Sequence, residues 1–479
     1  MRRIQNSTLS QWFFRKNRKP LLIRGARQVG KSTLVRIFGQ EQGLRLVEIN
    51  LEKHRPLDKI FSTYSIPDVI REIEGVAGQK VVPGETLLFL DEIQAAPEAI
   101  ACLRYFYEEL PQLAVIAAGS LLEFTLSKHA FSMPVGRIEY LHLGPMTFLE
   151  FLSATDEALY EIASRLSAAE PIAAATHEKL LAVLRDYLVI GGLPEAVAAF
   201  QERDYAAVAL VHRSICETYQ DDFAKYASAG ELARLQRLFR ALPGFIGRKI
   251  IYSRILEDEP AVKIKADLIL LQKAKIVDFI VHTDGGGIPL GAGARHQVFK
   301  IVFLDVGLAV HLLGLSASDV RSLSELRLVN EGALAEQFAA QQFRAELGGR
   351  QLYYWQREGR SENAEVDFLL QEDAQIIPVE IKAGKSGTLK SLHRFMHEKR
   401  GGRAIRYDLN LPSTQQIEVR ISPEELVRYQ LESRPLYMAG EPWPSIDPLL
   451  HPKQSASYPA SSTPRTSENG FGKELLPRE

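Results

Sequence analysis

The chain has 479 residues, more than one ordinary hydrophobic core accommodates, so two to four domains are expected. Its 58 Lys and Arg stand against 59 Asp and Glu, which excludes a uniformly basic surface and leaves any nucleic-acid contact to local patches. The apolar share of 46% is that of a water-facing globular protein, and no uninterrupted apolar run reaches the length of a membrane span.

The first twenty residues carry Arg2, Arg3, Arg15, Lys16, Arg18 and Lys19 without an apolar core, so they do not read as a signal peptide. The two cysteines, Cys102 and Cys216, lie far apart without metal-ligand spacing, which points to the reducing cytoplasm and to small buried side chains. Residues 20–23 form an apolar run that reads as a buried strand, and Leu34, Val35, Ile37 and Phe38 follow with helical spacing. Between them lies Gly25-Ala26-Arg27-Gln28-Val29-Gly30-Lys31-Ser32-Thr33, which fits G-x-x-x-x-G-K-[S/T]. Polyphosphate needs inward-turned backbone N–H groups, a lysine for the β/γ-phosphates and a hydroxyl for Mg²⁺, and each residue type stands at its required place. The strand-to-helix context adds a helix N-terminus that favours anions. ATP and Mg²⁺ are therefore the expected cofactors.

Residues 46–50 read as a further strand, and residues 86–92 as an apolar strand ending in Asp91 and Glu92. There Asp91 would hold Mg²⁺ together with Ser32, and Glu92 would polarise the attacking water. A strand at 114–118 leads into Gly119 and Ser120; in P-loop ATPases with an extra strand between the two nucleotide motifs, that strand carries a polar residue near the γ-phosphate, and Ser120 takes the matching place. Arg137, in Pro134-Val135-Gly136-Arg137, reads either as a charge neutraliser at the γ-phosphate, in cis or across a subunit interface, or as a surface arginine in a turn. The base-reading motif of GTPases is absent, so ATP is the favoured nucleotide.

Residues 152–240 look helical up to and beyond a double glycine, Gly191-Gly192, which reads as a hinge or as a tight helix-helix turn. From about 228 to 312 the order is helix, helix, then two strands around Asp284-Gly285-Gly286-Gly287, an order that suits a winged helix. Lys263, Lys265, Lys273 and Lys275 would then meet DNA phosphates or form a solvated helix face.

Two later segments, residues 365–370 and 377–382, read as strands joined by a short polar hairpin. Alternation places Val366 and Phe368 on one face and Glu365 and Asp367 on the other, with Glu380 and Lys382 likewise opposed to Val379 and Ile381. An Asp beside Glu-x-Lys is the constellation of PD-(D/E)xK nucleases, where two carboxylates, here Asp367 and Glu380, bind Mg²⁺ and the lysine, here Lys382, positions water. Glu331 or Glu336 on a preceding helix would complete it. The proline usual before the aspartate is Val366 here, and the alternatives of a paired amphipathic hairpin or a nuclease fold without activity stay open. Beyond Pro435 the chain becomes rich in proline and serine and reads as a disordered tail.

In combination these motifs, with residues 145–151 and 187–195, resemble prokaryotic AAA-superfamily ATPases that carry a C-terminal domain of unassigned function, over most of residues 10–430. The resemblance extends to Trp355 and Glu365-Val366-Asp367 and implies a nuclease-like C-terminal domain. The expected organisation is α/β: a P-loop parallel sheet at 1–155, a helical and winged-helix region at 156–312, an α/β nuclease-like domain at 313–435 and a tail at 436–479. The expected function is an ATPase whose nucleotide state controls a nuclease-like module acting on DNA. The alternative is a non-cleaving switch or scaffold, and a homo-oligomer or protein partner is compatible with either.

Overall fold

Two separate sheets organise the chain. In the computed structural model, residues 2–128, 134–166, 171–200, 203–321, 331–357, 363–372, 374–421 and 425–439 are described. The first sheet holds β1 (Leu21–Arg24), β2 (Arg45–Asn50), β3 (Thr86–Asp91), β4 (Ala114–Gly119) and β5 (Glu139–His142), in the order β2-β3-β4-β1-β5, all parallel. Every residue of β3 and β4 is buried, which is why both read as unbroken apolar runs rather than alternating ones. β4 lies between β1 and β3, so the loop after β1 and the carboxylates after β3 open at the same end of the sheet, on either side of an inserted strand. This is a P-loop NTPase arrangement, with ligands expected at the carboxyl ends of the strands.

A helical region follows, including Phe148–Thr155, Ala174–Ile190, Tyr205–Asp222, Ala229–Ala241 and Ala261–Lys273. After it comes a mixed eight-stranded sheet of β6 (Val277–Thr283), β7 (Ala294–Phe303), β8 (Leu352–Arg357), β9 (Ala364–Glu372), β10 (Gln375–Ile381), β11 (Arg403–Asp408), β12 (Ser413–Arg420) and β13 (Leu426–Pro435). Its order is β12-β13-β11-β10-β9-β8-β6-β7. The expected order of two helices and two strands around the glycine-rich turn is present, but the hairpin β6–β7 is no free wing. β6 pairs in parallel with β8, so the C-terminal sheet crosses the boundary expected at 312. An unpaired hairpin edge would expose a row of backbone donors and acceptors, and β8 satisfies it. Lys263 and Lys265 are exposed, whereas Lys275 is paired with Glu123 at 3.3 Å.

Helix Glu331–Leu347 covers one face of this sheet, with Phe343 against Phe368 and Tyr407 at ring separations of 5.2 and 5.9 Å. Helix Lys390–Lys399 covers the other, with Phe395 5.2 Å from Trp355. Across the pair β8–β9, Tyr353 opposes Leu369 while Trp355 opposes Val366, so β9 contains one extra residue, a β-bulge. The bulge breaks the expected alternation: Val366 packs in the cluster of Trp355 and Phe395, and Phe368 packs in the other core. Residues 436–439, assigned to the tail by composition, are buried, and the Tyr437 hydroxyl lies 2.9 Å from His177 Nδ1; the rest of the expected tail lies outside the described residues. Both cysteines are buried, and among the described residues no helix is long and apolar enough to cross a membrane.

The double glycine is a packed junction. Gly191 has φ +72°, and a Cβ there would overlap the Asp305 carboxylate. The Gly192 N–H donates to Asp305 Oδ2 at 2.7 Å, and that same carboxylate accepts from Leu308 N–H and the Gln341 amide. Gly191→Ala is therefore expected to lower stability by about 1–3 kcal/mol through overpacking and left-handed strain, read from the midpoint of urea unfolding. An unchanged midpoint would show that the junction yields freely.

Candidate functional site

The phosphate-type loop runs from the end of β1 to helix Lys31–Glu41. Gly30 takes φ +90°, which admits glycine readily, and Gln28 sits at +62°. A Cβ on Gly25 would overlap the Leu143 carbonyl oxygen, so the chain after β5 forms the floor of the loop. Among the described residues no side chain caps the helix at Gly30, so its first N–H groups lack a capping partner. The Lys31 ammonium donates to the carbonyl oxygens of Gly25 at 3.1 Å and Ala26 at 2.6 Å. Burial pushes it down to about 8, against the opposing pull of Glu92 and Asp91.

Ser32 Oγ donates to Asp91 Oδ2 at 2.8 Å, and the Glu92 N–H donates to Asp91 Oδ1 at 3.0 Å. Burial raises the Asp91 carboxyl above its ordinary value although Ser32 opposes this. Glu92 itself takes φ +53° and accepts from the Gln94 side-chain amide. Ser120, directly after β4, has a buried hydroxyl without a hydrogen-bond partner among the described residues. A Cβ on Gly119 would overlap Gln94 Oε1, so Gln94 stands between Glu92 and the end of β4. Ser32, Asp91, Glu92 and Ser120 are thus gathered at one end of the sheet.

The remaining loop residues face elsewhere. Ala26 and Val29 are buried in the core, and Thr33 is exposed on the helix. The Arg27 guanidinium pairs with Asp222, and its carbonyl oxygen accepts from the Tyr219 hydroxyl at 2.8 Å. Arg3, which its position in a basic N-terminal stretch did not single out, donates to the Val29 and Gly144 carbonyls at 2.9 and 2.7 Å and pairs with Glu150 at 3.0 Å. Glu150 also closes the capping box of helix Phe148–Thr155 with Thr147. Arg137 is not brought to the loop of its own chain. It precedes β5, whose Glu139 pairs with Leu21 at the far end of β1, so about four residues of strand, about 13 Å, intervene. There it pairs with Glu108 at 2.9 Å.

A second polar centre lies in the C-terminal sheet. Asp367 follows Val366 at the bulge of β9, and its Oδ2 accepts from the Ile381 N–H at 2.8 Å. Glu380 pairs with Lys382. Glu336, from helix Glu331–Leu347, reaches the same centre, whereas the side chain of Glu331 lies outside the described residues. Lys300 of β7, a residue without visible promise in the sequence, is 0% exposed; its Nζ lies 3.0 Å from Glu336, 3.8 Å from Asp367 and against Glu365. Burial alone would lower this ammonium, but Glu336, Asp367 and Glu365 more than reverse that and hold it protonated. Burial raises Glu336 and Glu380 above the ordinary carboxyl value and the charge of Asp367 adds to this, while Lys300 opposes the rise at Glu336 and Lys382 opposes it at Glu380. The one signal in the sequence was a lone lysine inside the apolar run Phe299-Lys300-Ile301-Val302-Phe303.

Residues 17–152 match the family model of the AAA domain. That stretch holds the five-stranded parallel sheet and its phosphate-type loop. Residues 181–319 and 331–419 match two domains of unknown function, DUF8612 and DUF4143. Solved structures similar to the chain include the Walker-type ATPase of Pyrococcus abyssi, at 17% identity over 64% of this chain and 95% of that one with a TM-score of 0.40. Others are the ADP form of the Aeropyrum pernix ORC2 protein (15% identity, 67% and 93%, TM-score 0.30) and AMPPCP-bound DnaA from Aquifex aeolicus (11%, 56% and 86%, TM-score 0.27). Comparison with curated proteins finds no match.

The depressed Lys31 ammonium has a measurable consequence. A nucleotide phosphate raises its pKa, so between about 8 and that higher value binding takes up a proton, and ATP affinity is level below pH 8 and falls above it. The fall should approach about tenfold per pH unit. Calorimetric titration of ATP at pH 8.5, in two buffers of different ionisation enthalpy, should give different heats; equal heats and level affinity up to about pH 9.5 would contradict it.

Proposed function

We propose that the protein is a Mg²⁺-dependent ATPase whose nucleotide state is passed through the helical region to the C-terminal module. The observation that carries this reading is the grip of helix Tyr205–Asp222 on the loop itself: Asp222 holds the Arg27 side chain and Tyr219 its carbonyl oxygen. A loop that rearranges around phosphate therefore pulls on this helix. The polar contacts continue inward, since the Tyr187 hydroxyl donates to the Met146 carbonyl and accepts from Gln341 and Gln342 of helix Glu331–Leu347.

The oxygen donors at the loop fit a divalent ion: Ser32 and Asp91 already stand within hydrogen-bond distance of each other. They would hold Mg²⁺, which supplies charge neutralisation at the phosphates. Lys31 would exchange the Gly25 and Ala26 carbonyls for phosphate oxygens, Glu92 would accept a proton from the attacking water, and Gln94 would keep Glu92 oriented. Ser120, without a hydrogen-bond partner among the described residues, would be available to the γ-phosphate or the water. Arg137 would act only on a neighbouring subunit.

A second reading, cleavage of DNA by the C-terminal module, is favoured by the gathering of Glu336, Asp367, Glu380 and Lys382. Incubation with plasmid and linear DNA, with and without Mg²⁺ and ATP, tests it directly.

For the ATPase, Lys31→Ala should lower turnover by about 10²–10³-fold, the cost of one preorganised donor. Glu92→Gln should keep ATP bound while hydrolysing it slowly, because the amide retains shape without the basic oxygen. With ATP held by Glu92→Gln, hydrogen exchange should change in helix Tyr205–Asp222; no change there would defeat the switch, and wild-type turnover in Lys31→Ala would defeat the ATPase.

A further inference from the structure

A two-carboxylate Mg²⁺ centre needs facing oxygens that are free to take the ion, because Mg²⁺ demands near-octahedral oxygen coordination. In the C-terminal centre most of these oxygens are already engaged. Asp367 Oδ2 is taken by the Ile381 N–H and Oδ1 faces Lys300; Glu336 and Glu365 are both on Lys300; Glu380 Oε1 is on Lys382. Glu380 Oε2 is buried and has no hydrogen-bond partner among the described residues. Among the described residues no group of three or more His, Cys, Asp and Glu is placed to hold a metal ion.

We infer that Lys300 is the resident cation of this centre, an ammonium carried on β7 that faces the Asp367 oxygen a divalent ion would need. A fully buried ammonium persists only where carboxylates repay its lost hydration, and three of them face Lys300. A divalent ion and this ammonium would compete for the same oxygens, so an ion taking Asp367, Glu336 and Glu365 would have to displace Lys300 from them. The side chain is fixed from behind by the pairing of β7 with β6 and lies 5.3 Å from the Tyr354 ring centre. The C-terminal module accordingly gathers its carboxylates without metal and does not cut phosphodiesters by metal-activated water. This rests on the C-terminal geometry alone and decides against the second reading above while leaving the ATPase untouched.

The test uses nucleotide-free full-length protein titrated with Mn²⁺, the free ion being followed by electron paramagnetic resonance. Wild type and Asp367→Asn should give the same isotherm, and Lys300→Met, folded by circular dichroism, should gain one further ion that Lys300→Met/Asp367→Asn loses. A Mn²⁺ site present in the wild type and lost in Asp367→Asn overturns the inference, as does DNA cutting lost in Asp367→Asn. A folded Lys300→Met that acquires no Asp367-dependent ion overturns it as well. Should Lys300→Met fail to fold, the comparison of wild type with Asp367→Asn still decides. ATP hydrolysis measured on the same wild-type preparation separates a failure of the ATPase reading from a failure of this one.

Discussion

The carboxylate of Asp305 is wholly buried, and the architecture of the middle of the molecule depends on its being there. It satisfies the Gly192 N–H, caps helix Val306–Leu312 through Leu308 and takes the Gln341 amide, so one side chain joins the helical region, the strand leaving the second sheet and the helix that covers that sheet. Burial raises its pKa, and the backbone donors around it oppose that rise. Each donor would be left orphaned in an apolar interior without it; Gly191 lacks the Cβ that would overlap this carboxylate, and Gly192 the one that would overlap the Met146 backbone.

What was legible in the sequence was structure carried by local pattern. The loop from Gly25 to Ser32, the apolar strand ending at Asp91 and the strand before Ser120 each declare themselves within a few residues, because a fully buried parallel strand and a phosphate loop impose composition as well as spacing. What was not legible depended on pairing between distant segments. Nothing in residues 277–303 reveals that β8 will complete the edge of β6, so a hairpin that reads as a wing becomes part of an eight-stranded sheet. The bulge in β9 likewise exists only relative to β8, and it sends Val366 and Phe368 to opposite faces, where strict alternation had put them together.

Charged residues were read with the same asymmetry. Lys31 and Asp91 sit in motifs that name their partners, whereas Lys300, Arg3 and Gln94 acquire meaning only from side chains that folding brings alongside. Arg137 shows the converse: its turn resembles a familiar one, yet the direction of β5 sets it at the wrong end of the sheet for its own loop. Strand direction decided its position, and strand direction is not written in a turn.

The contact of Arg3 with the Val29 carbonyl changes what counts as the nucleotide-binding module. The segment before β1 is a wall of the phosphate loop, locked to Gly144 and to the capping box of helix Phe148–Thr155 by the same guanidinium. A minimal domain cut at the first strand would thus lose a brace on the very backbone that must cradle phosphate. A bulky group placed against these first residues would press on the phosphate-type loop through Arg3.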